Sequence, residues 1–169
     1  MKKTLILSCA LALAGLSNVA FAAEGAAAFV RAELGQSNVD VSLLDDTDTA
    51  YNLRGGYFFN KHFAVEGFAT SLYDNDDVSL TGAGVGVVGK AYLNDESKIF
   101  VEGRVGAARL RGEVGDESEY ETKAYVGAGV GYDFSEHFGL SLNFAQYNAG
   151  FQGLDLSIKT MTIGGEYRF

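Results

Sequence analysis

The last ten residues, TMTIGGEYRF, hold a two-residue alternation to the end of the chain. Met161, Ile163, Gly165, Tyr167 and Phe169 fall on one face, and Thr160, Thr162, Gly164, Glu166 and Arg168 on the other. A terminus that nothing ties down is ordinarily polar and loose. An apolar face that reaches a terminal aromatic needs a partner strand. The same period recurs along the chain, and no stretch sustains helical spacing. It predicts strands over 27–37, 50–59, 63–72, 79–93, 98–111, 122–134, 138–147 and 160–169. Each is about as long as a tilted membrane strand of roughly 9–11 residues.

The connections alternate in length. NKH, NDES and SEH read as tight turns, while NVDVSLLDDTDT, YDNDD, GEVGDESEYE and NAGFQGLD read as acidic loops. Short turns at one end and longer loops at the other are the asymmetry of an outer-membrane barrel. The expected fold is all-β, an eight-stranded antiparallel up-and-down transmembrane β-barrel. An even strand count lets the last strand close antiparallel on the first, which answers the demand of the terminal face. The sequence has 22 Gly and no Pro. Pro cannot donate to a ladder, so its absence suits a sheet without edges.

A soluble eight-stranded barrel is the competing architecture. Arg31, Glu33, Arg54, Glu66, Lys90, Glu102, Arg104, Lys123, Glu166 and Arg168 all lie opposite the aliphatic face. In a soluble barrel they would meet water; in a membrane barrel they fill the lumen. The aliphatic face holds many small residues, among them Gly55, Gly67, Gly89 and Gly103. Turned inward, these would underfill a core that must pack densely. Aromatics crowd the strand ends beside the tight turns: Tyr57, Phe59, Phe63, Phe134, Phe138, Tyr167 and Phe169. They read as an interfacial girdle. The membrane orientation is expected, with a lumen of six basic and four acidic groups. A barrel of eight strands has an interior that side chains can fill, without a broad aqueous pore.

At the front, Lys2 and Lys3 precede the apolar run TLILSCALALAGL, and Ala20 and Ala22 flank Phe21. That order is a secretory signal peptide over 1–22, cleaved after Ala22, leaving a barrel domain over 23–169. Lipidation at Cys9 is the alternative. Only five residues would separate it from Lys3, and apolar sequence continues beyond it. Cys9 is the single cysteine, so the processed chain has no disulfide. Without Lys2 and Lys3, 11 basic residues stand against 22 acidic ones. That balance disfavours nucleic acid, whose phosphates attract basic faces.

VGAGVGYDFSEHFGLSLNF and the terminal IGGEYRF carry a resemblance. The chain resembles the OmpA-type transmembrane domain, within the wider family of small outer-membrane β-barrel proteins, over essentially all of 23–169. The resemblance implies that Met161, Ile163, Tyr167 and Phe169 form the carboxy-terminal signal for the barrel-assembly machinery. It also implies interior Glu–Arg and Glu–Lys pairs, for which Glu66, Lys90, Glu102 and Arg104 are placed. Gly131 and Ser141 stand where OmpA has an inward Glu and an inward Arg, so its gate is not expected here. Nor is its separate peptidoglycan-binding domain.

Catalysis is not expected. Outer-membrane enzymes acting on lipid A or phospholipid need a nucleophile with a base, often His. The two histidines, His62 and His137, lie in short turns away from the outer rim. No cofactor or resident metal is expected. The acidic groups Asp45, Asp46 and Asp48, then Asp74, Asp76 and Asp77, then Asp116, Glu117, Glu119 and Glu121, read as solvated loops. Their oxygens also suit divalent cations bridging to lipid phosphates. Arg109, Arg111 and Lys159 lie near the outer strand ends and are expected to contact lipopolysaccharide. The expected protein is a monomer of the outer membrane, surrounded by lipid and lipopolysaccharide, with a structural or surface-contact role. A narrow gated channel is the second reading, and a lipid A-modifying enzyme the third.

Overall fold

The computed structural model describes residues 25–41, 44–75, 78–94, 97–114, 117–151 and 154–169. The signal segment, its cleavage point and Cys9 lie outside them, as do Asp76, Asp77 and Asp116. Alternation becomes strand throughout: β1 (Ala27–Val41), β2 (Leu44–Phe58), β3 (Phe63–Asn75), β4 (Val78–Tyr92), β5 (Ile99–Val114), β6 (Glu117–Asp133), β7 (Phe138–Phe151) and β8 (Leu154–Arg168). The sheet closes in sequence order, and every pair is antiparallel. β8 pairs β1 from Phe29↔Arg168 to Asp40↔Ser157, and the Phe169 N–H donates to the Ala28 carbonyl at 3.0 Å. The terminal alternation thus finds its partner at the other end of the chain.

The acidic loops are a correction. β1 and β2 stay paired up to Val41↔Leu44, β3 and β4 to Asn75↔Val78, β5 and β6 to Val114↔Glu117, and β7 and β8 to Phe151↔Leu154. Most of the expected loop residues are therefore strand, and the long strands replace the long loops. Asp is depleted in strands, which suggested coil. Ladder hydrogen bonds carried on from the membrane-spanning part override that preference, and outside lipid the strands need no apolar face.

Not every seam runs that far. β2–β3 pairing ends at Tyr51↔Ser71, beside a register shift between Ser71 and Tyr73, and β6–β7 pairing ends at Tyr125↔Tyr147. Beyond these points the sheet parts into two four-stranded walls, β3–β4–β5–β6 and β7–β8–β1–β2. Residues 44–50 of β2 and 117–124 of β6 pair on one side only.

The grease faces outward. Val85 is 67% exposed, Val101 45%, Val130 47% and Leu142 41%, whereas Arg54 is 1% and Glu66 4% exposed. Phe59, Phe63, Phe134, Phe138, Tyr167 and Phe169 are exposed around the end that carries the turns. That is the girdle a barrel shows where hydrocarbon meets headgroups.

Candidate functional site: the filled lumen and the outer rim

Alternation sends one residue in two inward, and every strand contributes to the interior. Arg31 of β1 sits at the centre. Its Nη1 and Nη2 donate to the two carboxylate oxygens of Glu102 across the lumen, Nη2 at 3.0 Å. Its Nε donates to Glu166 Oε2 at 3.0 Å, and Nη2 bonds the same oxygen. Arg104 bonds Glu102 through Nη2 and donates from Nη1 to Glu33 Oε1 at 2.8 Å. Glu33 also accepts from Asn52 at 3.0 Å and from Thr162 at 3.3 Å, and lies 3.1 Å from Arg54 Nε. Arg54 donates to Glu66 Oε1 at 2.8 Å, which takes the Tyr125 hydroxyl at 2.7 Å. Toward the turn end, Asp133 gathers Lys90 at 3.2 Å, the Tyr92 hydroxyl at 2.7 Å and Arg168. Charge-assisted and forked arginine bonds of this kind are the strong ones.

The ten residues singled out from the sequence all face this interior, but they do not form one cluster. Nine join the chain of contacts from Arg168 to Glu66. Lys123 stands apart toward the hairpin end, paired with Glu121 at 2.5 Å and partly exposed. The expected surplus of positive charge is corrected too. Asp133 and Glu121 also point inward, so six basic groups meet six acidic ones among the described residues. Asp133 shares its parity with Lys123 and Tyr125 and could have been read from the sequence.

Apolar side chains share the lumen with the charges, which the alternation alone did not indicate. Phe29, Phe58, Ala64 and Val88 pack together toward the turn end. Phe68, Leu72, Leu110, Tyr147 and Ile158 belong to a second cluster toward the hairpins. Phe100 also fills space from within. Lys90 Nζ lies 3.6 Å from its ring centre, and a Cβ at Gly131 would come within 2.2 Å of the ring. The room inward of Gly131 is taken by an aromatic.

At the outer rim, Arg109 and Arg111 are exposed on β5, two residues apart, with guanidinium carbons 4.9 and 5.3 Å from the Tyr120 ring centre. Arg109 lies ten residues along the strand from Ile99, a rise of about 25 Å at the usual tilt. That matches the height of an outer-membrane apolar band. Lys159 does not join them. It is exposed on β8, in register with Asn38 and Gln146, three strands away. The side chains of Asp45, Asp46, Asp48, Asp74, Glu117 and Glu119 lie outside the described residues. Among those described, no group of three or more His, Cys, Asp or Glu could hold a metal ion.

A closed antiparallel cylinder with aliphatic exterior, aromatic girdle and charged interior defines a transmembrane β-barrel. The outer membrane protein beta-barrel domain model matches residues 7–169, and the chain belongs to that family, with its place in the outer membrane. Neisserial surface protein A has a similar structure at 18% identity, covering 86% of this chain and 99% of that one, with a TM-score of 0.64. Ail, the attachment invasion locus protein of Yersinia pestis, is 20% identical in its complex with the heparin analogue sucrose octasulfate. There 86% of this chain and 99% of Ail are covered, with a TM-score of 0.61. The N-terminal barrel of Pseudomonas aeruginosa OprF is 15% identical over 82% of this chain and 97% of its own, with a TM-score of 0.56. At such identities the likeness speaks for the fold. No curated protein matches in sequence.

Proposed function

We propose that this protein is a non-conducting, non-catalytic barrel that carries an acidic contact surface on the outer membrane. The observation behind the reading is how the two ends differ. The lumen is occupied by a charge-balanced network that an apolar cluster covers toward the hairpins, while the hairpin end parts into two walls whose β2 and β6 pair on one side only. A strand paired on one side only can accept a further strand on the other. Edge positions rich in Asp and Glu in the sequence favour a basic, extended partner over a polyanion. Structural support of the membrane is the accompanying role.

The absence of a conducting path is tested in planar bilayers. Wild type, Glu66→Gln and Arg104→Met are expected to stay silent, since each substitution leaves the apolar cluster toward the hairpins in place. Discrete openings in any of them would restore the channel reading. Incubation with lipid A, expected to leave it unmodified, tests the enzyme reading.

In this account residues 1–22 direct export and the protein works as a monomer. Met161, Ile163 and Tyr167, exposed along β8, and Phe169 just beyond it would form the signal read by the assembly machinery. Divalent cations at the acidic hairpins are the remaining proposed partner. Arg109 and Arg111, held over Tyr120 at headgroup height, suit lipopolysaccharide phosphates, since Arg recognises phosphate with a planar fork. The R109A/R111A variant is expected to carry about five-fold less lipopolysaccharide through purification than wild type, and Lys159→Ala about as much as wild type. Equal retention by all three would remove the rim site.

A further inference from the structure

The barrel uses one set of parts twice. In the β2–β3 turn, Asn60 Oδ1 accepts from the N–H groups of His62 and Phe63 at 2.8 and 3.0 Å. In the β6–β7 turn, Ser135 Oγ accepts from those of His137 and Phe138 at 3.3 and 3.1 Å. Phe59 N–H donates to Phe63 O and Phe134 N–H to Phe138 O, both at 2.9 Å. Each imidazole Nδ1 lies against the carbonyl of a basic residue on the next strand, Lys90 at 2.9 Å or Arg168 at 3.0 Å. A carbonyl only accepts, so Nδ1 carries the proton in both. Lys90 and Arg168 in turn donate their N–H groups to the two His carbonyls, at 2.7 and 2.8 Å. The turns lie four strands apart, and so do the two seams where the walls part. The cylinder has a quasi-twofold axis along its length.

Under that axis β1 and β5 are mates on opposite sides of the lumen. Their inward triplets are Phe29, Arg31, Glu33 and Phe100, Glu102, Arg104, a constant 71 residues apart. A twofold brings mates face to face, so identical charges would repel. The order is inverted instead. Arg31 bonds its own mate Glu102, and Arg104 bonds its own mate Glu33.

We propose that the two triplets are complementary keys that fix the register in which the barrel closes. Short connections tie every neighbouring pair except β8 and β1, which only the chain ends bring together. A one-residue slip there turns apolar side chains inward and is forbidden by the alternation. A two-residue slip keeps every face, so alternation does not oppose it. The keys do. Because β1 and β5 lie half a turn apart, a two-residue slip at the seam offsets them by one residue. In one direction that offset carries Arg31 from Glu102 toward Arg104; in the other the slip sets Arg31 opposite Arg168 in the seam itself, where Glu166 now stands. Either brings like charges together out of water.

The test exchanges the keys in a Cys9→Ser background, using protein extracted from outer membranes, unfolded in urea and refolded into dimyristoylphosphatidylcholine vesicles. R31E/E33R and E102R/R104E each set like against like. Both are expected to gain sheet by circular dichroism but lose at least ten-fold of the heat-modifiable closed form. Combining all four changes restores the complement and should recover most of that loss. Cysteine pairs report register directly: V30C/Y167C cross-links in the native register, and A32C/Y167C and A28C/Y167C in slips of two either way. The single-key variants should gain a slipped cross-link, and the four-fold variant should lose it again. A four-fold variant no better than either single-key variant overturns the proposal, as does native-only cross-linking in all. If the reversals fail to insert, Arg31→Met, Glu102→Gln and their combination decide. Closed-form losses that simply multiply overturn the proposal; a combination no worse than the poorer single change supports it.

Discussion

Arg31→Met is expected to be among the most damaging changes of similar side-chain volume in the lumen, destabilising the barrel by about 3–5 kcal/mol. Arg31 is 2% exposed and satisfies both Glu102 and Glu166. Methionine fills much of its space but leaves two carboxylates buried beside each other with one guanidinium fewer. Breaking a buried ion pair costs more than the pair contributes, because the orphaned charge cannot regain water. The arithmetic differs when Glu102 also goes. R31M/E102Q removes a facing pair and should recover a substantial part of the loss, although Glu166 and Arg104 each keep a missing partner. The measurement is the urea midpoint of the vesicle-embedded barrel together with the temperature at which its electrophoretic mobility shifts. A loss under about 1 kcal/mol for Arg31→Met would mean that water reaches the network, contrary to the burial of its members. By the same reasoning Lys123, partly exposed beside Glu121, should tolerate Met with little change. Exposed pairs contribute about 0–1 kcal/mol.

Much of this geometry was legible because a strand has only two sides. Parity alone sends Arg31, Arg54, Glu66 and Arg104 one way and Val85, Val101 and Leu142 the other, and the sheet uses those sides. Which interior residues meet was not legible. Arg31 reaches Glu102, 71 residues on and four strands away, through the stagger of the closed sheet. No property of either strand alone carries that stagger. The hairpin end departs from its local preferences for a related reason. Asp40 and Asp45 argue for coil residue by residue, yet they stand in register in a ladder continued from the membrane part. The apolar clusters are not legible in alternation, because Phe29, Phe58 and Phe100 share parity with the charges and pack among them. Asp133 is different: it shares the parity of Lys123 and Tyr125, so alternation places it inward even beside the turn.

Glycine shows the same two-sidedness with a larger penalty, and two neighbours on β5 should separate it cleanly. Gly103 faces lipid, and a Cβ built there meets nothing within 4 Å. Gly106 faces the lumen, where a Cβ would come 2.2 Å from the Val85 carbonyl oxygen, 2.7 Å from Gly86 Cα and 2.7 Å from Tyr125 Cε1. Two of those atoms are backbone of the adjoining strand and cannot yield without opening the β4–β5 ladder. The third belongs to a ring whose hydroxyl is committed to Glu66. Close approach of ring and strand needs a residue without a side chain at that point. Gly106→Ala is therefore expected to cost at least the 1–3 kcal/mol typical of overpacking, and to reduce the closed form sharply on refolding. Gly103→Ala should stay within about 0.5 kcal/mol of wild type. Both variants add one methyl group to one strand, so propensity cancels between them and the difference reports which way the residue faces. Equal behaviour of the pair, by urea midpoint and closed fraction, would mean that Tyr125 does not lie against Gly106. The support of Glu66 from that side of the lumen would then fall with it.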